Sequence, residues 1–380
     1  MKIAIPKEIL PEERVAMTPD AVKRLTDSGF EVWVEKGAGL GASCTDTDYT
    51  NAGAKIAPSH QKLFAGAEII LKVNPPKDEK GRHEIDDYPS GSVLISFLEI
   101  MKQPELAAKL AKKGITALAM ETLPRITRAQ SMDALSSQAS AAGYKAVLWA
   151  AKESKKFFPM LTTAAGTIRP AKVFVIGAGV AGLQAIATAH RLGAVVEAFD
   201  IRPAAKIEVE SLGAKFVQAE LEEETEAGGG YAKEVSQGSQ ERIKQTVYDH
   251  VAAADVVITT AQVPGKRAPR IVTRDMIEAM KPGSVVLDMA VDQGGNCDLT
   301  EAGKTISHEG VMLIGPVNLA SDMAIHSSQM YARNISALLK LLLKDGALQL
   351  DFTDKIIKST CITHAGQVIH EQVKSMLNIK

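Results

Sequence analysis

The sequence predicts an α/β protein with two domains, each built on a mostly parallel sheet and joined by two long helices. The chain has 380 residues, which exceeds a typical domain of about 150 residues and indicates two domains. Short apolar runs alternate with amphipathic segments along the chain, a pattern typical of parallel sheets covered by helices. Aromatic residues make up only 4% of the chain, so small aliphatic side chains must fill the cores, which disfavours an aromatic-rich β-sandwich.

The alternation is visible element by element in the first third of the chain. Thr18, Pro19 and Asp20 predict the start of a helix, with a hydroxyl N-cap, a proline in the first turn and an acid that the helix dipole favours. A further helix is expected near residues 104–113. The predicted strands of this region are residues 3–5, 31–34, 69–73, 93–96 and 115–119.

Two long helices are predicted at residues 131–156 and 322–344. Between them, the predicted strands are residues 173–176, 195–199, 256–260, 285–289 and 311–314. The chain is expected to leave the first domain along the first long helix and to return along the second. The predicted domains are therefore residues 1–135 together with 325–380, and residues 136–324.

The charge balance limits the possible partners. Lysine and arginine number 44 and aspartate and glutamate 45, so the net charge is −1 and no global field attracts DNA, RNA or anionic lipid. We therefore expect no nucleic-acid binding. The 46% hydrophobic and 23% charged residues exclude global disorder. Three cysteines, an odd number with no CxxC pair, indicate free thiols in a reducing compartment.

Direct membrane insertion is not expected. Residues 173–190 lack charges, but they contain three glycines and several polar groups, which do not suit a lipid-facing helix. Lys7 and Glu8 interrupt the apolar start of the chain, so no signal peptide is expected either.

A glycine motif follows the first strand of the second domain. Gly177, Gly179 and Gly182 match GxGxxG, with a strand before them and a helix after them. In this motif the first glycine makes a tight turn, the second admits a pyrophosphate and the third lets the helix pack on the strand. The phosphates would lie at the positive N-terminus of the helix. The motif favours Rossmann-like domains and a dinucleotide site over the alternative that the glycines merely pack.

The next predicted strand ends in Asp200, where a carboxylate can accept hydrogen bonds from the adenosine ribose. Such a carboxylate would repel a 2′-phosphate, so the expected cofactor is NAD(H) rather than NADP(H). Arg202 is the competing feature, since an arginine there could bind that phosphate. Asp200 is expected to dominate because it occupies the strand end. Residues 37–41 are also rich in glycine, but their spacing is wrong and they are interpreted as a turn.

Residues 220–238 interrupt the alternating pattern. Five acidic residues lie between 220 and 226, and three glycines ending at Gly230 then precede Tyr231. One interpretation is a solvated surface loop. The other is a mobile flap, in which the glycines act as a hinge and Tyr231 offers a surface to a ligand.

The sequence contains no motif for a metal site or a catalytic nucleophile. HExxH, clustered Cys/His, EF-hand, GxSxG and Walker A patterns are all absent, and the eight histidines are scattered. A dehydrogenase acting on an alcohol or amine needs a general acid or base beside the nicotinamide, and the residue spacing indicates none. Hydride exchange between two nicotinamides would need none, because no proton moves with the hydride.

The densest group of polar residues lies at 124–138. If this segment is helical, Gln130, Asp133 and Ser136 recur every three residues and share one face, near Arg125. These side chains could hold a carboxamide and a ribose. The alternative is ordinary capping at the start of a helix.

Three segments carry a resemblance to a known family: RITRAQSMD at 125–133, GGYAKE at 229–234 and DMAVDQGGNC at 288–297. They resemble the NAD(H)-binding component of proton-translocating nicotinamide nucleotide transhydrogenases, which is related to the alanine dehydrogenases. The resemblance runs nearly from end to end of the chain. It implies that the nicotinamide of NAD(H) is surrounded by Arg125, Gln130, Asp133 and Ser136. It also implies that Gly230 and Tyr231 belong to the flap, and that the adenosine half contacts Val180, Asp200, Ile201 and Arg202.

The resemblance further implies partners. In that family the component is a homodimer that passes hydride to NADP⁺ on an NADP(H)-binding subunit, and an integral-membrane proton-channel subunit couples this step to proton movement. The implied location is cytoplasmic, peripheral on the inner face of the membrane through the partner subunits. Because the sequence holds one dinucleotide motif, the NADP(H) site is expected on another chain.

Alanine dehydrogenase is the alternative enzyme class. Its reactive site resembles a lysine after a strand, followed further along by a histidine. Lys72 is present here, but residues 94–98, where the histidine would fall, contain none. A non-catalytic NAD(H)-binding protein is the third possibility.

Overall fold

The computed structural model describes residues 1–79, 81–219, 226–227, 231–232, 237–263, 267–344 and 346–379. Contacts divide the chain into unit 1, Met1–Gln138 with Ala320–Lys380, and unit 2, Ala139–Leu319. Each unit contains one large, mostly parallel sheet with helices, so the predicted α/β class is confirmed.

Unit 1 begins with alternating strands and helices. In chain order they are β1 (Lys2–Ile5), α1 (Pro19–Asp27), β2 (Glu31–Glu35), α2 (Asp46–Asn51), β3 (Lys55–Ala57), α3 (His60–Phe64), β4 (Ile69–Leu71), β5 (Asp78–Glu79), β6 (Arg82–His83), β7 (Val93–Ser96), α4 (Glu105–Lys112) and β8 (Thr116–Ala119). The long helix α5 (Ala134–Glu153) then carries the chain from unit 1 into unit 2.

Unit 2 repeats the alternation. Its elements are β9 (Leu161–Thr163), β10 (Gly166–Ile168), β11 (Lys172–Ile176), α6 (Val180–Arg191), β12 (Val195–Phe199), α7 (Ala205–Ser211), β13 (Lys215–Val217), β14 (Glu226–Ala227), β15 (Tyr231–Ala232), α8 (Gln237–Ala253), β16 (Val256–Thr259), α9 (Arg274–Glu278), β17 (Val285–Asp288), β18 (Thr305–His308) and β19 (Val311–Ile314).

The chain re-enters unit 1 at Ala320, shortly before the second long helix. The elements of this return are α10 (Ala324–Leu342), β20 (Leu343–Lys344), β21 (Ala347–Leu348), α11 (Lys355–Thr360), β22 (Cys361–His364), β23 (Gln367–Val368) and α12 (Glu371–Met376). Strands β22 and β23 join the unit 1 sheet antiparallel to β8 and to each other, an addition that the alternating pattern does not predict.

Both large sheets grow outward from their first strand. The order in unit 1 is β23-β22-β8-β7-β4-β1-β2-β3, and the order in unit 2 is β13-β12-β11-β16-β17-β19-β18. Only the outer strands β22, β23 and β18 run antiparallel to their neighbours in these sheets. The strand order therefore reverses between β1 and β4 in unit 1, and between β11 and β16 in unit 2.

The sheets are covered on both faces. In β1, Ile3 and Ile5 pack into one apolar cluster while Ala4 packs into another, as expected when successive side chains of a strand point to opposite faces. In β11, Val173 and Phe174 are divided between two clusters in the same way. Buried strands of this kind form continuous apolar runs, which is why the sequence alone predicts them.

Helix starts differ from the prediction in two places. Thr18 is the N-cap residue of α1, but its side chain accepts no hydrogen bond there; the first turn keeps Pro19 and Asp20 as predicted. The first long helix begins at Ala134 rather than at residue 131, because a separate 3₁₀ helix occupies Thr127–Met132. Among the described residues, no helix combines the length and the apolar character needed to cross a membrane.

All three cysteines carry free thiols that are protected from reaction. Burial raises the pKa of the Cys361 thiol to about 12. Burial raises the pKa of Cys297 well above its ordinary value, with the Asp288 charge adding to the effect, and burial also raises the pKa of the half-buried Cys44. Since the thiolate is the reactive form, these groups are poor nucleophiles in the folded protein.

We therefore expect native protein at pH 8 to react with a thiol reagent such as iodoacetamide at least ten times more slowly than a peptide thiol. The depressed thiolate fraction and the burial both slow the reaction. Mass spectrometry counts the labelled cysteines, and unfolded protein should label at all three. The matched control is Ser211→Cys, which places a thiol on the exposed end of α7. Equal labelling of this variant and of the native cysteines would contradict the expectation.

Candidate nucleotide site

The glycine motif lies at the carboxyl end of β11, where the strand order of unit 2 reverses. Ligands of open parallel sheets bind in the crevice at such a reversal. Gly177 has a φ of +96°, and a Cβ there would lie 2.7 Å from Thr260 Oγ1, so both conformation and space require glycine. Thr260 Oγ1 donates to the Gly177 carbonyl at 2.9 Å and ties the residue after β16 to the motif.

The other two glycines of the motif serve different purposes. A Cβ on Gly182, in the first turn of α6, would lie 1.8 Å from the Gly177 carbonyl oxygen, so close packing requires glycine there. A Cβ on Gly179 would meet no other part of the described protein within 4 Å. The space before Gly179 and the half-exposed Val180 is therefore open at the N-terminus of α6, where backbone N–H groups and the helix dipole favour phosphate.

Asp200 lies directly after β12 and is saturated with hydrogen-bond donors. Its Oδ2 accepts from the Ala178 N–H at 2.8 Å and from Arg202 Nη2 at 2.9 Å. Its Oδ1 accepts from the backbone N–H and from Nε of Arg202, both at 2.9 Å. The predicted residues Asp200 and Arg202 are thus brought together, next to Ile201 and to the glycine motif. The predicted repulsion of a 2′-phosphate assumed a bare carboxylate, whereas Asp200 forms a neutral pair with Arg202.

Asp288, at the end of β17, organises a loop that the sequence analysis did not assign to the site. It is fully buried and accepts hydrogen bonds from Thr259 Oγ1 at 3.0 Å, from Thr300 Oγ1 at 2.8 Å and from the Asn296 N–H at 2.8 Å. Buried carboxylates need such partners, because an unpaired buried charge is very costly. The result is a fixed path for the chain from Asp288 to Asn296.

Asn296 in turn fixes the loop after β16, at the strand-order reversal. Its side-chain oxygen accepts from the Ala261 N–H at 3.0 Å, and its Nδ2 donates to the carbonyls of Ala261 at 2.9 Å and Pro269 at 2.8 Å. The available sequence signal was the run Gly294-Gly295-Asn296, since both glycines adopt positive φ. It indicates a tight turn without revealing what the asparagine holds.

The polar segment of unit 1 is not one helix, so the predicted shared helical face is wrong. Gln130 lies in the 3₁₀ helix Thr127–Met132, Asp133 is non-helical with ψ of 87°, and Ser136 lies in the first turn of α5. The reason is capping: Asp133 Oδ1 accepts the Ser136 N–H at 2.9 Å, and Oδ2 accepts Ser136 Oγ at 2.6 Å. Asp133 and Ser136 are thus brought together, while Arg125 and Gln130 have exposed side chains.

Contacts from distant parts of unit 1 hold this segment in place. Arg128 makes a two-fold ion pair with Asp354, with both N···O distances at 2.7 Å, and this partner lowers the pKa of Asp354. Asn334 of α10 donates to the Ser131 carbonyl at 2.9 Å and accepts from Ser137 Oγ at 2.7 Å. The 3₁₀ helix and the start of α5 therefore share one support, Asn334, which sequence spacing could not indicate.

Lys72 lies at the strand-order reversal of unit 1, in a fully buried charge cluster. Its Nζ lies 2.9 Å from Glu84 Oε1 and 3.5 Å from Glu8 Oε2. Burial alone would lower the pKa of Lys72, but the two carboxylates outweigh it and raise the pKa, so the ammonium stays charged. Arg14 is likewise paired with Glu12, at 2.7 Å, and donates to Gln138 Oε1 at 2.8 Å. Both cations are thus neutralised by this chain's own carboxylates.

The stretch that would carry a dehydrogenase histidine is apolar. Residues 93–96 form β7 and are buried, and the ring of Phe97 packs against Tyr331 with centroids 5.3 Å apart. No imidazole follows Lys72 at this edge, in agreement with the sequence.

Two further predictions concern the edges of unit 2. Gly230 lies outside the described residues, and of Tyr231 only the backbone is described, as part of β15 paired with β14. The proposed flap therefore stays a prediction. Within the described part of the chain, the side chains that bring three possible metal ligands together are Glu278, His308 and Glu309, with atoms within 4.8 Å. The 3.0 Å contact of His308 Nε2 with Glu278 explains this proximity without a metal.

Family comparison matches both halves of the chain. Residues 4–142 match the model of the alanine dehydrogenase/PNT N-terminal domain, and residues 146–371 match that of the alanine dehydrogenase/PNT C-terminal domain. The chain belongs to the alanine dehydrogenase/PNT family.

Relatives within the family fall on both sides of its double name. The chain is 46% identical over 376 residues to the first of the chains that make up NAD(P) transhydrogenase subunit alpha in Rhodospirillum rubrum, covering 97% of this chain and 98% of that one. A transhydrogenase structure from Sinorhizobium meliloti matches with a TM-score of 0.87 at 46% identity, covering 97% of this chain and 100% of that one. An L-alanine dehydrogenase structure matches with a TM-score of 0.82 at 28% identity, covering 100% and 99%. The resemblance noted in the sequence is thereby confirmed.

The glycine motif yields a test that separates packing from ligand binding. We expect Gly182→Ala to lower the free energy of unfolding by about 1–3 kcal/mol, because its methyl group overlaps the Gly177 carbonyl. Gly179→Ala is the matched control: it should leave stability nearly unchanged and weaken NADH binding at least tenfold, because its methyl group enters the open space. Chemical denaturation and calorimetry measure the two quantities. Equal effects of both changes on stability would contradict the assignment of Gly179 to ligand contact.

Proposed function

We propose that this protein is the NAD(H)-binding component of a proton-translocating transhydrogenase, which exchanges hydride between NAD(H) and NADP(H). The observation that carries the proposal is the pairing of a complete dinucleotide motif in unit 2 with the absence of an imidazole at β7 and Phe97 in unit 1. Similarity to transhydrogenase alpha subunits supports it. NADH supplies a hydride when bound, and its acceptor is the nicotinamide of NADP⁺ on a partner.

Residues of unit 2 account for the hold on the nucleotide. In the proposal Gly177, Gly179 and Gly182 shape the pyrophosphate position, and Val180, Asp200, Ile201 and Arg202 line the adenosine half. The neutral Asp200–Arg202 pair leaves the helix N-terminus as the positive group for the two phosphates. Unit 2 is therefore the NAD(H)-binding domain, and unit 1 is the domain completed by the C-terminal residues.

Residues of unit 1 account for nicotinamide positioning. Hydride transfer between two nicotinamides needs the two C4 atoms at contact distance and water kept away, so the protein contributes positioning rather than proton transfer. Arg125 and Gln130 have exposed side chains that can reach a ligand from their anchored 3₁₀ segment, while Asp133 and Ser136 form a preassembled pair at 2.6 Å. We propose that these four side chains surround the carboxamide and ribose of the nicotinamide half.

Partner subunits are part of the proposal. The name of the Rhodospirillum rubrum relative describes one piece of a divided alpha subunit, and the described residues of this chain offer no helix suited to a bilayer. We propose an NADP(H)-binding subunit and an integral-membrane proton-channel subunit as partners, with this chain cytoplasmic and peripheral on the inner face of the membrane. We also propose a homodimer, which the exposed apolar side chains Phe157, Met160 and Ile168 around the hairpin β9–β10 support.

Alanine dehydrogenase is the second candidate, favoured by the 0.82 TM-score and by the presence of Lys72. Reducing an imine requires a proton delivered to nitrogen, and the apolar stretch from β7 to Phe97 has no group to deliver it. The carboxylates of Glu8 and Glu84 already neutralise Lys72. Both observations disfavour this candidate, and a non-catalytic NAD(H)-binding protein remains the third outcome of the test.

The enzyme classes are separated by one activity assay. We expect the full-length chain to bind NADH but to show no turnover with pyruvate and ammonia, because no proton donor is present. Addition of a purified NADP(H)-binding transhydrogenase component should produce reduction of an NAD⁺ analogue by NADPH, followed by absorbance. NADH oxidation with pyruvate and ammonia by the chain alone would establish the alanine dehydrogenase class, and no activity with any partner would leave a binding protein.

Positioning by the 3₁₀ segment is tested in the same reconstituted assay. We expect Arg125→Ala and Gln130→Ala to slow hydride transfer at least tenfold, because a misplaced nicotinamide rarely reaches contact distance. The dissociation constant for NADH should change less than threefold, since the adenosine half is held by unit 2. Lys109→Ala, an exposed change on α4, is the control and should alter neither quantity. Unchanged transfer rates in both variants would remove these residues from the proposed site.

A further inference from the structure

The Asp200–Arg202 pair has a geometry that bears on cofactor choice. The guanidinium group of Arg202 approaches side-on, with Nε on Oδ1 and Nη2 on Oδ2, both at 2.9 Å. Two parallel charge-assisted bonds of this kind are the strongest arrangement for an arginine and a carboxylate. Nη2 also donates to the Ala178 carbonyl at 3.3 Å, which adds a third point of attachment. The pair is largely buried, with side-chain exposures of 8% for Asp200 and 21% for Arg202.

The same guanidinium fork is the group that would bind a 2′-phosphate. Dinucleotide sites that accept NADP(H) use an arginine near the end of the second strand for this phosphate. Arg202 lies two residues beyond that strand end, but its fork is engaged by Asp200. A phosphate could recruit it only by breaking both bonds, and the released carboxylate would then lie beside the phosphate.

Repulsion alone does not explain a preference for NAD(H) here. With Arg202 bound to it, Asp200 belongs to a pair with no net charge, and a neutral pair repels a phosphate far less than an isolated carboxylate does. The carboxylate must therefore act through the arginine that it restrains.

Resting on the proposed NAD(H) site, we propose that Asp200 sets the cofactor preference by holding the Arg202 guanidinium away from the 2′-phosphate position. Arg202 is the specificity-determining residue: held by Asp200 it is silent, and released it binds the phosphate of NADP(H). Asp200 has a second task, since its bond to the Ala178 N–H fixes the glycine motif to the end of β12.

The test compares two small probes that differ only in the 2′-phosphate: 5′-AMP and adenosine 2′,5′-bisphosphate. Calorimetry on the full-length chain gives the ratio of their affinities, in which general damage to the site cancels. For Asp200→Asn we expect the ratio to shift at least tenfold toward the bisphosphate, because the amide cannot hold the guanidinium as an ion pair. The double variant with Arg202→Ala should lose this shift. NADPH should follow the bisphosphate in every variant.

Arg202→Ala alone gives a second test that leaves the Asp200 bond to Ala178 intact. We expect it to shift the ratio at least threefold toward 5′-AMP, because the phosphate then meets an unpaired carboxylate. An unchanged ratio in this variant, or a shift in Asp200→Asn that persists in the double variant, would overturn the proposal and return the preference to simple repulsion.

Failure of the proposal and failure of the proposed function give different results. Wild-type protein that binds NADH but shows either of those two patterns retains its function and loses only the restraint by Asp200. Wild-type protein that binds neither NADH nor 5′-AMP would remove the nucleotide site itself, and the proposal with it.

Discussion

Strand order is the constraint on which both units depend. Each large sheet grows outward in both directions from its first strand, β1 or β11, so the connections on either side of that strand lead away to opposite faces. A crevice is left at the carboxyl ends where the order reverses. Everything chemically distinctive in this molecule lies at or beside such a reversal: Gly177 and Asp200 in unit 2, and Glu8 and Lys72 in unit 1.

The two reversals are filled in opposite ways. In unit 2 the space before Gly179 is open, and the surrounding polar groups are tied to one another rather than aimed into it. In unit 1 the side chains of Lys72, Glu8 and Glu84 are buried and close the same position with ion pairs. Breaking one partner of such a cluster is strongly unfavourable, because it leaves an uncompensated buried charge. An open position that suits a phosphate and a self-neutralised one thus arise from the same topology.

Carboxylates in the proposed site have structural and ligand-binding tasks at once. Asp133 caps α5 through Ser136, which matches the plain capping interpretation of the polar segment, yet the same bonds preassemble the pair proposed to contact the nicotinamide half. Asp200 fixes the glycine motif through Ala178 and also restrains Arg202. The capping and functional interpretations are therefore not exclusive, because a carboxylate has two oxygens and several acceptor positions.

The sequence by itself determined the alternating elements, the two-sheet α/β class and the glycine motif. These depend on local physics: apolar periodicity within a few residues, and positions such as Gly177 and Gly182 where only glycine fits. Tertiary structure alone decided the break at Asp133, the antiparallel addition of β22 and β23, the hold of Asn296 on the loop after β16, and the capture of Arg202 by Asp200. The break, the added strands and the asparagine contacts depend on partners brought together by packing, and the capture depends on a side-chain direction that the spacing of two residues leaves open. Neither a distant partner nor the direction of a charged fork is encoded in the local pattern from which elements are predicted.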